Sequence, residues 1–214
     1  SGTTLAVGAP GVSEIEIEAN SFLNAPRGEL VVFIYTGESW VARGNKIAGE
    51  ADMDAFGYAL ALSDDGMILA ATAPYNKGGA GFSAGELQPK AGNCRIFVYD
   101  QTQEDWLQRG TNIDGVDQFG RFGASISLSA NGDVVAIGAP GANANGDDSG
   151  SVSIFEFDPV SNDWDNVGMI AGPFPLAHAG SAVALSADGT LVVVGAPNDA
   201  AVAIDRSIAT AASF

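Results

Sequence analysis

The sequence holds one cysteine, one histidine and nine lysines and arginines against 26 aspartates and glutamates. A lone cysteine, Cys94, excludes an internal disulfide, and a domain of this size folds without such staples. Cys94 stands just before Ile96-Phe97-Val98-Tyr99 and reads as a small strand residue. The net charge of −17 repels nucleic acid phosphates and anionic lipid, and no Lys/Arg cluster reverses that locally. Nucleic acid is therefore excluded as a partner. No run approaches the ~18 apolar residues of a membrane span. The start, Ser1-Gly2-Thr3-Thr4, has no basic segment followed by an apolar one, so any targeting signal has been removed or lies outside this sequence. No Asn-x-Ser/Thr sequon occurs, so glycosylation gives no hint of compartment.

What is present is β-forming. Hydrophobic residues make up 46% and charged residues 16%, ample material for a core. With 28 glycines and short Val/Ile/Phe runs, this is the profile of many strands joined by tight turns. The clearest pattern is a repeat. Gly57-Tyr-Ala-Leu60-Ala-Leu62-Ser63-Asp-Asp-Gly66 returns as Gly123 to Gly132 and again as Gly180 to Gly189, each with Leu or Ile/Val in alternation and a Ser-x-x-Gly turn. The strand after that turn ends in Gly8-Ala9-Pro10, Thr72-Ala73-Pro74, Gly138-Ala139-Pro140 and Gly195-Ala196-Pro197. A third strand carries Phe33-Ile34-Tyr35, Phe97-Val98-Tyr99 and Phe155-Glu156-Phe157. The fourth opens with Trp-x-x-x-Gly at Trp40/Gly44, Trp106/Gly110 and Trp164/Gly168, followed by Ile-x-Gly.

Four antiparallel strands per unit of about 60 residues, all β, predict a β-propeller of four-stranded blades. The phrases Phe56-Gly57 and Phe122-Gly123 opening a blade, with Gly-Ala-Pro closing its second strand, resemble FG-GAP repeats, the blades of the integrin α-subunit head. In the last unit Ala179 replaces the phenylalanine. The resemblance implies strand order one to four from the central channel outwards. The blades fall at about 3–49 (without its first strand), 56–115, 122–172 and 179–205 (incomplete), about three and a half in all, within one segment spanning 1–214. The expectation is an excerpt of a longer propeller, or an arc completed by another copy or segment.

Chemistry-bearing residues are few. His178 lies in Leu176-Ala-His178-Ala-Gly180, with Ser181 nearby, but no Gly-x-Ser-x-Gly elbow accompanies them. Asp64-Asp65 and Asp147-Asp148 sit in turns, where aspartate serves backbone geometry. The integrin-type calcium loop between strands one and two does not carry over, because Ser63–Gly66 and its counterparts are too short to supply about six to eight oxygens. The candidate calcium ligands are instead Asn143, Asn145, Asp147 and Asp148, between strands two and three. No other cofactor is indicated. The loops 11–28, 75–92 and 141–150 all join strands two and three and emerge on one face, where a rigid scaffold places recognition. Together with the resemblance, this predicts an exported, non-enzymatic propeller module that contacts a protein or glycan through those loops. Two alternatives stand beside it: a structural subunit of a larger assembly, and a propeller enzyme working at the channel mouth with His178.

Overall fold

The alternating runs fold into strands, and among the described residues no helix accompanies them. A computed structural model describes residues 2–11, 27–77, 90–198 and 204–205. Among them the regular elements form four antiparallel sheets in chain order. The first sheet holds β1 (Thr4–Ala9), β2 (Glu29–Tyr35), β3 (Trp40–Ala42) and β4 (Ile47–Ala48). The second holds β5 (Leu60–Leu62), β6 (Ile68–Ala73), β7 (Asn93–Asp100), β8 (Asp105–Gln108) and β9 (Ile113–Asp114). The third holds β10 (Ser125–Leu128), β11 (Val134–Ala139), β12 (Ser151–Asp158) and β13 (Asp163–Ala171). The fourth holds β14 (Ala182–Leu185), β15 (Val192–Gly195) and β16 (Ile204–Asp205). Spatial order follows chain order in β5-β6-β7-β8 and β10-β11-β12-β13. The architecture is all-β, a partial β-propeller.

One element differs from expectation. The fourth strand divides in the first two blades, where Gly44 (φ 75°) and Gly110 (φ 77°) turn left-handed. Its distal parts, β4 and β9, pair back onto β2 and β7. In the third blade β13 runs on through Gly168 for nine residues, with a register shift at Ile154/Phe155.

The core lies between blades rather than within them. Leu30 and Val32 of β2 meet Leu69, Ala71, Phe97 and Trp106 of the second blade. Cys94 and Ile96 of β7 meet Val135, Ile137 and Trp164 of the third. Val152 and Ile154 of β12 meet Val192 and Val194 of the fourth. Each fully buried aliphatic side chain contributes about 1.5–3 kcal/mol, so a blade is stable only against its neighbour. The close approach explains the glycine of Gly-Ala-Pro in the third blade: a Cβ on Gly138 would fall on the Gly180 carbonyl.

Trp-x-x-x-Gly turns out to be an interblade fastener. Trp106 Nε1 donates to the Arg43 carbonyl at 2.8 Å, and Trp164 Nε1 to the Arg109 carbonyl at 2.9 Å. The guanidinium of Arg43 lies 4.1 Å from the centre of the Tyr99 ring, and that of Arg109 lies 3.7 Å from Phe157. Asp105 and Asp163, just before each tryptophan, accept from the backbone N–H of Asn45 and Thr111, each at 2.8 Å. The residues at the end of one blade's fourth strand thus grip the aromatic pair of the next.

Candidate functional site at the inner rim

The turn that opens each inner strand holds two non-glycine residues in the left-handed region. They are Met53 and Ala55, Phe119 and Arg121, and Leu176 and His178, with φ between 53° and 71°. Such conformations cost of order 1–3 kcal/mol each and persist only where surrounding bonds hold them. Here the next residue is pinned to the preceding blade or to the loop beside it: Phe56 N donates to Arg27 O, Phe122 N to Ala91 O and Ala179 N to Ser149 O. The second of the two strained positions, just before the pinned residue, recurs at the rim of each of these blades. Ala55 fills it in the second blade and is fully buried. Arg121 and His178 fill it in the third and fourth.

These two side chains, with Tyr58, Ala124, Pro140, Ser181 and Pro197, line a cavity of about 290 Å³. That lies at the small end of ligand pockets, which run about 300–1,000 Å³. Three successive blades contribute to it. His178 Nδ1 lies 3.2 Å from the Pro140 carbonyl. A carbonyl only accepts, so Nδ1 is the donor, and the tautomer that fits this contact has its lone pair on Nε2. The backbone N–H of His178 donates to the Asp148 carbonyl at 3.1 Å. Ser181 Oγ donates to the His178 carbonyl at 2.7 Å. Its hydroxyl is thus bonded to main chain rather than to the imidazole, and no Ser-His pair is assembled.

Arg121 is exposed and, among the described residues, makes no ion pair. Tyr58, half exposed, meets Tyr75 edge to face at 6.4 Å. Lys90 Nζ sits 4.7 Å from the Tyr75 ring centre, and the Lys90 carbonyl accepts from Arg121 N at 3.3 Å. Of these groups Arg121 and Tyr58 line the cavity, and Lys90 and Tyr75 stand behind them. In a protein of net charge −17 the exposed guanidinium is a local attraction for anions.

The four candidate calcium ligands share one loop beside this site. Asn143 Oδ1 accepts from Asp148 N at 2.8 Å. Asn145 Nδ2 donates to the carbonyls of Gly172 and Pro173 at 3.2 and 2.9 Å. The carbonyls of Asp147 and Asp148 accept from Leu176 N and His178 N. The loop is therefore a backrest for the turn that carries His178. Among the described residues no three His, Cys, Asp or Glu side chains are grouped to hold a metal ion. Of the three long loops, 141–150 is described throughout, while most of 11–28 and 75–92 lies outside the described residues.

A second polar group sits between the first two blades. Asp54 is 3% exposed and accepts from Asn76 Nδ2 at 2.7 Å and Ala51 N at 2.9 Å. Burial pushes its carboxyl above the ordinary range, against those bonds. Arg95 stacks 4.2 Å from the Phe56 ring centre and donates to the Ala48 carbonyl at 2.6 Å. Burial lowers its pKa, opposed by Glu50 and Asp54. At the positions matching Asp54, the later blades have Gly120 and Ala177, so this group belongs to one interface and fastens it.

Arg121 and Tyr58 did not stand out by residue type. The signal lies in the repeat register: the residue before Phe56, Phe122 and Ala179 varies, as does the residue after Gly57, Gly123 and Gly180. Variation at fixed scaffold positions is where a repeat protein builds its own site.

No family model matches the chain, and no curated protein matches it. Among solved structures, the chain is similar to a candidate 6-phosphogluconolactonase from Bacteroides uniformis, with 14% identity and a TM-score of 0.56, covering 84% of this chain and 44% of that one. The hydrazine synthase of Kuenenia stuttgartiensis aligns with a TM-score of 0.49 at 16% identity, over 84% of this chain and 55% of that one. The periplasmic gluconolactonase PpgL of Pseudomonas aeruginosa aligns with a TM-score of 0.47 at 16% identity, over 80% and 44%. The chain thus spans about half the length of these structures or less. The first likeness establishes the propeller fold. It also corrects the expectation of a non-enzymatic module, because that fold, in the Bacteroides protein, carries an enzyme's description. Scarce chemistry-bearing residues, a single histidine and the lack of an elbow motif do not exclude an enzyme, because a propeller assembles its site from separate blades that no local motif records.

Proposed function

We infer that the protein is a propeller-type enzyme that hydrolyses a small anionic ester or lactone of carbohydrate size at the inner rim. The observation that carries this is the convergence of His178 and Arg121 on one cavity from equivalent strained positions of neighbouring blades. With Nδ1–H held by the Pro140 carbonyl, Nε2 is free to take a proton from a water attacking the acyl carbon and to return it to the departing alkoxide oxygen as the acyl C–O bond breaks, leaving acid and alcohol. Arg121 binds the substrate's carboxylate or phosphate, and Tyr58 offers an exposed ring face for the sugar. The description of the Bacteroides protein as a phosphogluconolactonase supports the choice of substrate class. The sequence motifs support an FG-GAP-type blade for the scaffold.

The test is hydrolysis of a panel of aldonolactones, with and without a 6-phosphate. H178Q should lower kcat by about 10²–10⁴, and R121M should raise KM for the charged lactones most. Absence of turnover across the panel, or full activity in H178Q, would refute the reading.

A further inference from the structure

The first blade exposes, as a set, the residues that the later blades bury against their predecessors. Leu5 and Val7 of β1 correspond in register to Leu69 and Ala71, and to Val135 and Ile137. The latter four are 0% exposed, whereas Leu5 and Val7 are each 46% exposed. Trp40 corresponds to Trp106 and Trp164; these are 7% and 9% exposed, and Trp40 is 46% exposed. Tyr35 pairs with Trp40 across the β2–β3 ladder, as Tyr99 does with Trp106 and Phe157 with Trp164. The Tyr35–Trp40 ring centres are 5.4 Å apart, close to the 5.4 and 5.3 Å of the two fastened pairs. Gly2 (φ 69°) repeats the left-handed glycines Gly66 and Gly132, whose carbonyls receive Nη1 of Arg43 and Arg109 at 3.4 and 2.8 Å.

We propose that this face is a docking surface for one more blade of the same grammar, which brings an Arg-Gly pair at the end of its fourth strand. Its arginine carbonyl accepts the Trp40 indole N–H. Its guanidinium stacks on Tyr35 and donates to the Gly2 carbonyl, while its third strand covers Leu5 and Val7. The partner follows from two interfaces within this chain that share the same parts at matching offsets. It does not depend on the enzymatic reading, since none of these residues borders the cavity.

The probe is a peptide of residues 39–46 with phenylalanine in place of Trp40, which contains the natural Arg43-Gly44 fastener. It is titrated to millimolar levels into the full 214-residue protein, with the three indole N–H resonances followed by NMR. The Trp40 resonance should shift while those of Trp106 and Trp164 stay fixed. The apparent affinity should fall about tenfold when the peptide arginine becomes alanine, and likewise in the Y35A protein. A Trp40 resonance that does not respond, or responds equally to the alanine peptide, overturns the proposal. So does a Trp40 shift driven by protein concentration alone, which would make the occupant a second copy of this chain.

Discussion

Three tryptophans at equivalent positions provide an internal control for the fastener. Replacing Trp106 by phenylalanine removes the indole N–H and leaves the Arg43 carbonyl, now 2.8 Å from its donor, without that partner. Such a loss costs about 1–3 kcal/mol. The smaller ring also leaves space beside Tyr99 in a site where Trp106 is 7% exposed, which adds about 1 kcal/mol. The same change at Trp40, 46% exposed, stays within about 0.5 kcal/mol. At a urea slope of about 2 kcal/mol per molar, W106F lowers the unfolding midpoint by about 1–2 M and W40F barely moves it. Circular dichroism of the β-sheet signal reads both. If W106F and W40F shift the midpoint equally, the interblade bond is not what the tryptophan contributes, and the account of the repeat fails with it. R43A separates the parts, since it keeps the carbonyl and removes the guanidinium from Tyr99, at a cost of about 0.5–1 kcal/mol.

Other outcomes follow from single residues. G138A should cost about 1–3 kcal/mol by driving a methyl group onto the Gly180 carbonyl, measured by thermal unfolding. Asp54 has its folded pKa raised by burial, so the folded state binds the proton more tightly than the unfolded chain. Its contribution to stability is therefore largest below the ordinary value of 3.8 and is lost as pH rises through the folded pKa. D54N should flatten that part of the stability–pH curve, and an unchanged slope would refute the assignment. The Ser186 hydroxyl, followed by the Thr190 backbone N–H, holds the Asp188 carboxyl down at about 2. S186A should raise it toward 3.8, read by carboxyl NMR titration.

The blade was legible because every strand carries a local reason. Leu60/Leu62 alternate, Ser63–Gly66 turns, Pro74 ends its strand by withholding a ladder donor, and β5-β6-β7-β8 formed in that order. The split of the fourth strand at Gly44 and Gly110, but not at Gly168, was not legible. In both split strands an arginine that reaches the next blade stands just before the left-handed glycine, and the third blade has Val167 there. His178 was legible as the only histidine, yet its orienting partner, Pro140, is a backbone carbonyl from another strand. No residue type announces such a partner.

The sequence by itself determined the repeat unit, the all-β class, the blade order and the acidity, because each follows from periodicity and composition along the chain. Tertiary structure alone decided that Arg121 and His178 share a cavity, that Ser181 bonds to main chain rather than to the imidazole, and that Trp-x-x-x-Gly joins blades. The first and the last of these join residues about sixty positions apart, and their geometry exists only once neighbouring blades have packed face to face. The Ser181 bond is local, but it depends on the left-handed turn at His178 that the neighbouring loop holds.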